Sequence, residues 1–169
     1  MMRPAFFIGC VALVGFGCAS SREGGGGGAG VPARVAVGGM LDDWHAAADV
    51  GDFDAYFGRM TEDAVFIGTD ASERWVGAEF RAFSRPYFDG VNAWTYEPRV
   101  REVVVSGSGD VAWFDEVLES PKYGVCRGVG VAVFEDGVWR VAQYGLSFAV
   151  PNGVALEVVE VIEGYEGVE

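Results

Sequence analysis

From Trp94 to Val150 the chain carries four runs rich in β-branched and aromatic residues: Trp94 to Ser106, Asp110 to Glu119, Lys122 to Glu135, and Val138 to Val150. Between them lie Ser106-Gly107-Ser108-Gly109, Ser120-Pro121 and Asp136-Gly137. Connections this short join neighbouring antiparallel strands, so the stretch is committed to one meander. A sheet with so many apolar side chains must be covered by something else in the chain.

The cover lies upstream. From Gly38 the pattern turns helical, with Met40, Leu41, Trp44, Ala47 and Ala48 on one face and Asp42, Asp43 and His45 beside it. Gly51-Asp52 ends this helix, and Asp52 can cap a second one whose inner face is Phe53, Tyr56, Phe57 and Met60. Ala64 to Gly68 reads as a short strand, Thr69 to Ser72 as a turn, and Glu73 to Val76 as a brief extended piece. A third helix starts near Gly77, with Pro86 bending or opening its last turn and Gly90 stopping it. After Pro151-Asn152-Gly153, Val154 to Ile162 forms a short amphipathic segment. Helices first and a meander afterwards predict an α+β domain, its N-terminal helices packed on a curved, mostly antiparallel sheet.

The N-terminus predicts an address. Arg3 followed by the apolar run Ala5 to Gly17 is too short for a membrane-spanning helix and reads as an export signal. Gly17-Cys18 resembles the end of a bacterial lipoprotein signal, in which the cysteine is lipidated, although Gly15 stands where leucine is usual. Residues 24–28 are five glycines, a tether that cannot offset its own ordering entropy. The expected organisation is a signal at 1–17, a lipidated Cys18 and tether at 18–37, the domain at 38–163 and an acidic tail at 164–169. That places the domain at the cell envelope on the periplasmic side, touching membrane through lipid alone.

With Cys10 in the signal and Cys18 lipidated, Cys126 stands alone and no disulfide framework follows. A net charge of −13 argues against nucleic acid as a partner. One histidine and scattered carboxylates offer no metal-ligand spacing, and no motif calls for a cofactor.

Asp42-Asp43-Trp44-His45, Gly51 to Phe57, Asp63 to Phe66 and the closing Trp139-Arg140-Val141 resemble the SnoaL-like, nuclear-transport-factor-2-like superfamily. Phe66 to Trp75, Ala112 to Glu116 and Gln143-Tyr144 resemble a bacterial branch of it. The resemblance covers about Gly39 to Ile162. It implies a cone with a cavity between sheet and helices, and often a dimer. For activity it implies three alternatives: a module binding a small, largely apolar molecule or a partner protein; a cofactor-independent isomerase, cyclase or dehydratase; or a structural dimerisation domain.

Chemistry is expected where carboxylates interrupt the strand Val111 to Leu118. Asp115 and Glu116 point to opposite faces, so one of them is turned inward. Two-residue turns at Asp136-Gly137 and Ser120-Pro121 would set Phe134 opposite Trp139, Ala132 opposite Val141, Gly130 opposite Gln143, Cys126 opposite Ser147, Trp113 opposite Gly128 and Asp115 opposite Cys126. That parity gives a pocket face of Trp113, Asp115, Cys126, Gln143 and Ser147, with Gly128 and Gly130 leaving space. The opposite face, with Ala112, Phe114, Val125, Val129, Val131, Tyr144, Leu146 and Phe148, would form a homodimer interface, and Glu116 and Arg127 would pair there. Asp115 would be either the acid–base group or a structural acceptor for Arg101 or an indole N–H. His45 would stand at the pocket mouth or pair with Asp42 or Asp49. Tyr56, Trp75 and Trp94 could floor the site. In the cyclases of this superfamily a histidine stands beside the acidic residue on the sheet; no strand here carries one.

Overall fold

The computed structural model describes residues 32–88 and 94–166. The export signal, Cys18, the glycine tract and the Gly90 stop lie outside them. The architecture is α+β, as expected. Helix α1, Ala33–Asp49, begins five residues before the Gly38 start that periodicity suggests, and it takes in part of the stretch read as tether. The reason is Val37, which is fully buried and extends the apolar stripe by a turn. Asp52 caps α2, Phe53–Gly58, through a 2.9 Å bond from the Ala55 amide to its carboxylate.

Strand β1, Met60–Ile67, is followed by β2, Arg74–Val76, and α3, Ala78–Ser84. Pro86 falls in a short 3-10 turn, Arg85–Tyr87, where its fixed φ is tolerated. The meander is β3, Glu97–Val105; β4, Val111–Ser120; β5, Gly124–Glu135; and β6, Val138–Phe148. The six strands run in the order β2-β1-β6-β5-β4-β3. Among the described residues only the β1–β6 pair is parallel. Helix α1 packs on β3 and β6, and α2 and α3 pack on β1. Helix α4, Ala155–Glu166, continues the amphipathic segment and leaves Leu156, Val159, Ile162 and Tyr165 exposed.

Two details set the parity of the sheet. The Asp136-Gly137 turn has two residues, both at positive φ (53° and 83°), and Phe134 does face Trp139 and Ala132 Val141. A bulge between Val131 and Ala132 then shifts the register by one, so Gly130 faces Tyr144 instead of Gln143, and Cys126 faces Phe148 instead of Ser147. At the other turn Ser120 pairs with Gly124, leaving Pro121-Lys122-Tyr123 as a three-residue loop. Gly124, at φ 67°, makes the left-handed step that closes such a loop. Gly128 therefore faces Glu116 and not Trp113, and Cys126 faces Leu118 and not Asp115. Each change inverts which side chains point inward.

The inner face of the meander is consequently Ala112, Phe114, Glu116 and Leu118 on β4, Cys126, Gly128, Gly130 and Ala132 on β5, and Trp139, Val141 and Tyr144 on β6. Ala112, Phe114, Tyr144 and Glu116 are thus core residues, not dimer contacts. The two glycines do not leave empty space either. A Cβ on Gly128 would collide with the Tyr144 hydroxyl, and one on Gly130 with the Phe114 ring, so their missing side chains let those rings lie flat on the sheet.

Candidate functional site

Helix α1 delivers Asp42 and His45 to the sheet because they lie three residues apart on one side of the helix. His45 follows Leu41 by one turn and shares its buried stripe. Opposite it stands Glu116, fully buried in the middle of β4, with Arg101 of β3 and Gly128 of β5 as its cross-strand neighbours. His45 Nε2 lies 3.0 Å from one Glu116 oxygen, and the Tyr144 hydroxyl donates to the same oxygen at 3.3 Å. Arg101 Nε donates to the other oxygen at 2.6 Å. The Arg101 Nη1 group donates to the Gly38 carbonyl at 2.9 Å and to Asp42 at 2.7 Å, locking α1 against β3 and β4.

Burial pushes the Glu116 carboxyl upward, but the hydrogen bonds and charges of His45 and Arg101 outweigh it and hold the group below its ordinary range. Burial raises Tyr144 well above the usual phenol value, and the negative charge of Glu116 adds to this, so Tyr144 remains a hydroxyl donor. Glu116 is therefore ionised at neutral pH, and an ionised carboxylate only accepts. Its partner His45 Nε2 must carry the proton, which leaves Nδ1 as the basic nitrogen whenever the ring is neutral. This is a histidine oriented by a carboxylate, itself held by an arginine.

The ring of His45 lines a cavity of about 440 Å³. Its walls are aromatic: Trp44, Tyr56, Phe66, Trp75, Phe80, Phe83, Tyr87, Trp94, Tyr96 and Tyr144. Several of these rings stack face to face, Phe66 on Phe80 at 4.2 Å and Trp75 on Phe83 at 4.2 Å between centroids. Such a volume, walled mostly by aromatic rings with a few polar groups among them, suits a small flat molecule.

Of the residues expected in the pocket, His45, Tyr56, Trp75 and Trp94 line this cavity. Asp115 does not. Its side chain is about half exposed on the opposite face, 3.6 Å from Arg127. Trp113 is half exposed on that same outer face, and Gln143 and Ser147 are exposed too. Cys126 is fully buried in the inner face but outside the cavity lining. The pairing of Glu116 with Arg127 is replaced by Glu116 with Arg101, and that of His45 with Asp42 or Asp49 by His45 with Glu116. No strand carries a histidine, and the chain's one histidine reaches the buried carboxylate of the sheet from α1. Among the described residues no cluster of three His, Cys, Asp or Glu could hold a metal ion.

Comparison with known proteins agrees with this fold. No curated protein matches the chain. Among solved structures, a nuclear-transport-factor-2-like protein of unknown function from Pseudomonas putida aligns with a TM-score of 0.61 at 16% identity, covering 71% of this chain and 89% of that one. A proposed aromatic ring hydroxylase from Novosphingobium aromaticivorans aligns with a TM-score of 0.60 at 23% identity, over 70% and 90% of the two chains. A proposed dehydratase of the same superfamily from Streptomyces avermitilis gives 0.58 at 16% identity, over 69% and 96%. These likenesses share the fold. The family model of the SnoaL-like domain matches residues 37–151, which take in most of α1, all of α2 and α3, the sheet and every residue of the Glu116 network, and the chain belongs to that family.

Proposed function

We propose that this domain binds a small, flat, largely apolar molecule in the aromatic cavity, and that His45 exchanges a proton with it. The observation that carries this reading is the placing of the chain's one histidine on the cavity wall, hydrogen-bonded to a buried, ionised Glu116. A carboxylate behind an imidazole fixes its tautomer and stabilises the imidazolium that forms when it takes a proton. Asp115 has no part in this role. Arg101 and Asp42 act as positioning residues that keep Glu116 charged and α1 seated. The reaction class is proton removal beside a carbonyl, as in an isomerase or dehydratase, with no cofactor needed for that step. The anchoring at the cell envelope expected from Cys18 and the glycine tract is part of the proposal: the domain would act on its ligand from a lipid tether.

The test uses 2-tetralone in deuterium oxide, with deuterium uptake beside the carbonyl followed by mass spectrometry. The wild-type domain is expected to accelerate exchange over buffer, and His45→Gln to lower the enzymatic rate by about 100-fold, the scale of a lost general base. Thermal shift with the same ketone reports binding separately. Binding without accelerated exchange would reduce the function to a ligand-holding module.

A further inference from the structure

The cavity has a charged rim as well as an aromatic body. Among the described residues two fully charged side chains line it, Glu73 and Lys122. Glu73 is committed to the β1–β2 turn. Its carboxylate accepts from the Asp70 amide at 3.2 Å and lies against Gly68, where no Cβ would fit. Lys122 is different. It is the only lysine in a chain of net charge −13. It sits on the exposed three-residue β4–β5 loop, its ammonium 4.7 Å from the ring centre of Tyr123, and it forms no ion pair among the described residues. Arg34, Arg59, Arg99, Arg101 and Arg127 are each matched to a carboxylate, and Arg74, Arg81, Arg85 and Arg140, which like Lys122 form no ion pair among the described residues, do not line the cavity. Around Lys122 the cavity lining offers the hydroxyl-bearing side chains of Tyr123, Tyr96 and Ser120.

A cation above an aromatic cleft, with hydroxyl donors beside it, is the complement of a carboxylate joined to a ring. We infer that the ligand is an amphipathic monocarboxylate: its ring fills the aromatic walls and its carboxylate meets Lys122 at the mouth, away from His45. The remaining field of the protein repels anions, so recognition of this class depends on Lys122 locally and not on net charge. This inference rests on the reading of the cavity as a ligand site and goes further by naming the ligand's charge and its orientation.

The experiment measures binding of 2-naphthoate and of 2-naphthamide, nearly equal in shape, by calorimetry to the wild-type protein and to Lys122→Gln and Lys122→Arg. The wild type is expected to prefer the acid by about three- to fivefold, as an exposed ion pair allows. Lys122→Gln should lose that preference while holding the amide unchanged, and Lys122→Arg should retain it. Raising the salt from 20 to 500 mM should erase the preference by screening. Equal binding of both probes by the wild type, or a preference that survives Lys122→Gln, would overturn the inference while leaving the aromatic site intact. If neither probe binds at millimolar concentration, both the inference and the reading of the cavity fall.

Discussion

Glu116→Gln isolates the central interaction, because the amide keeps the shape of the side chain and removes its charge. In the wild type Glu116 is wholly buried and accepts from Arg101, His45 and Tyr144. Breaking a buried ion pair by removing one partner costs about 3–5 kcal/mol. Two features reduce this figure. Asp42 still neutralises Arg101 from the solvent side at 2.7 Å, and the Gln oxygen can still accept from Arg101 Nε. We expect a loss of about 2–3 kcal/mol at pH 6, equivalent to about 6–12 °C in Tm for a domain of this size.

The pH dependence gives a sharper test. The folded-state pKa of Glu116 lies below its ordinary value of 4.5, so its contribution is fully present above pH 4.5 and is lost as the pH falls through the lowered folded value. The gap between wild type and variant should therefore be widest near pH 6 and narrow progressively below pH 4.5. Urea unfolding at pH 6.0, 4.5 and 3.5, monitored by tryptophan fluorescence, measures it directly. A gap under about 1 kcal/mol at pH 6, or one that stays constant down to pH 3.5, would refute the reasoning and demote Glu116 to a packing residue.

Asp115→Asn should change stability by no more than about 0.5 kcal/mol, since its pair with Arg127 is half exposed on both sides; thermal unfolding checks this. Gly128→Ala should destabilise by about 1–3 kcal/mol, because the new methyl meets the Tyr144 hydroxyl, and it should weaken the Tyr144 bond to Glu116; urea unfolding together with a crystal structure of the variant reads both. The envelope anchor predicts that Cys18→Ala abolishes incorporation of labelled palmitate and releases the protein from the membrane fraction, and equal labelling of the variant would refute it.

Much of the fold could be read from the chain because its signals are local. The turn residues of the meander, the cap at Asp52 and the helical stripe of Leu41, Trp44 and Ala48 each carry their own physical reason. The site depends on parity, and parity is not local. One extra residue in the Pro121-Lys122-Tyr123 loop moves Glu116 inward and Asp115 outward, and one bulge at Val131/Ala132 does the same for Tyr144 and Gln143, although Asp115 and Glu116 sit in equally apolar surroundings in the chain. Val111, Trp113 and Val117 alternate with Ala112, Phe114 and Leu118, so hydrophobicity does not say which set faces the helices. One signal did point the right way. His45 stands four residues after Leu41 and three before Ala48, inside the buried stripe, and a histidine there needs a partner across the helix–sheet interface.

The composition of that interface argues for a role beyond closing the fold. Leu41, Trp44, Phe66, Phe80, Phe114 and Tyr56 already provide a dense apolar core around α1. A domain selected for stability alone could carry apolar side chains at 45, 101, 116 and 144, since a buried ion pair replaced by well-packed hydrophobic residues is often neutral or stabilising by about 1–4 kcal/mol. Instead the chain buries a carboxylate and surrounds it with an imidazole, a guanidinium and a phenol, and it keeps glycine at 128 so that the phenol can reach. Only the imidazole and the phenol of this set also line the cavity. The charge is thus stored behind the wall, where water and ligand do not reach it, and is presented through groups that can carry or donate a proton. Under the proposed function that arrangement serves chemistry on a bound molecule, and a quadruple substitution to apolar residues should leave stability unchanged or raised while abolishing proton exchange.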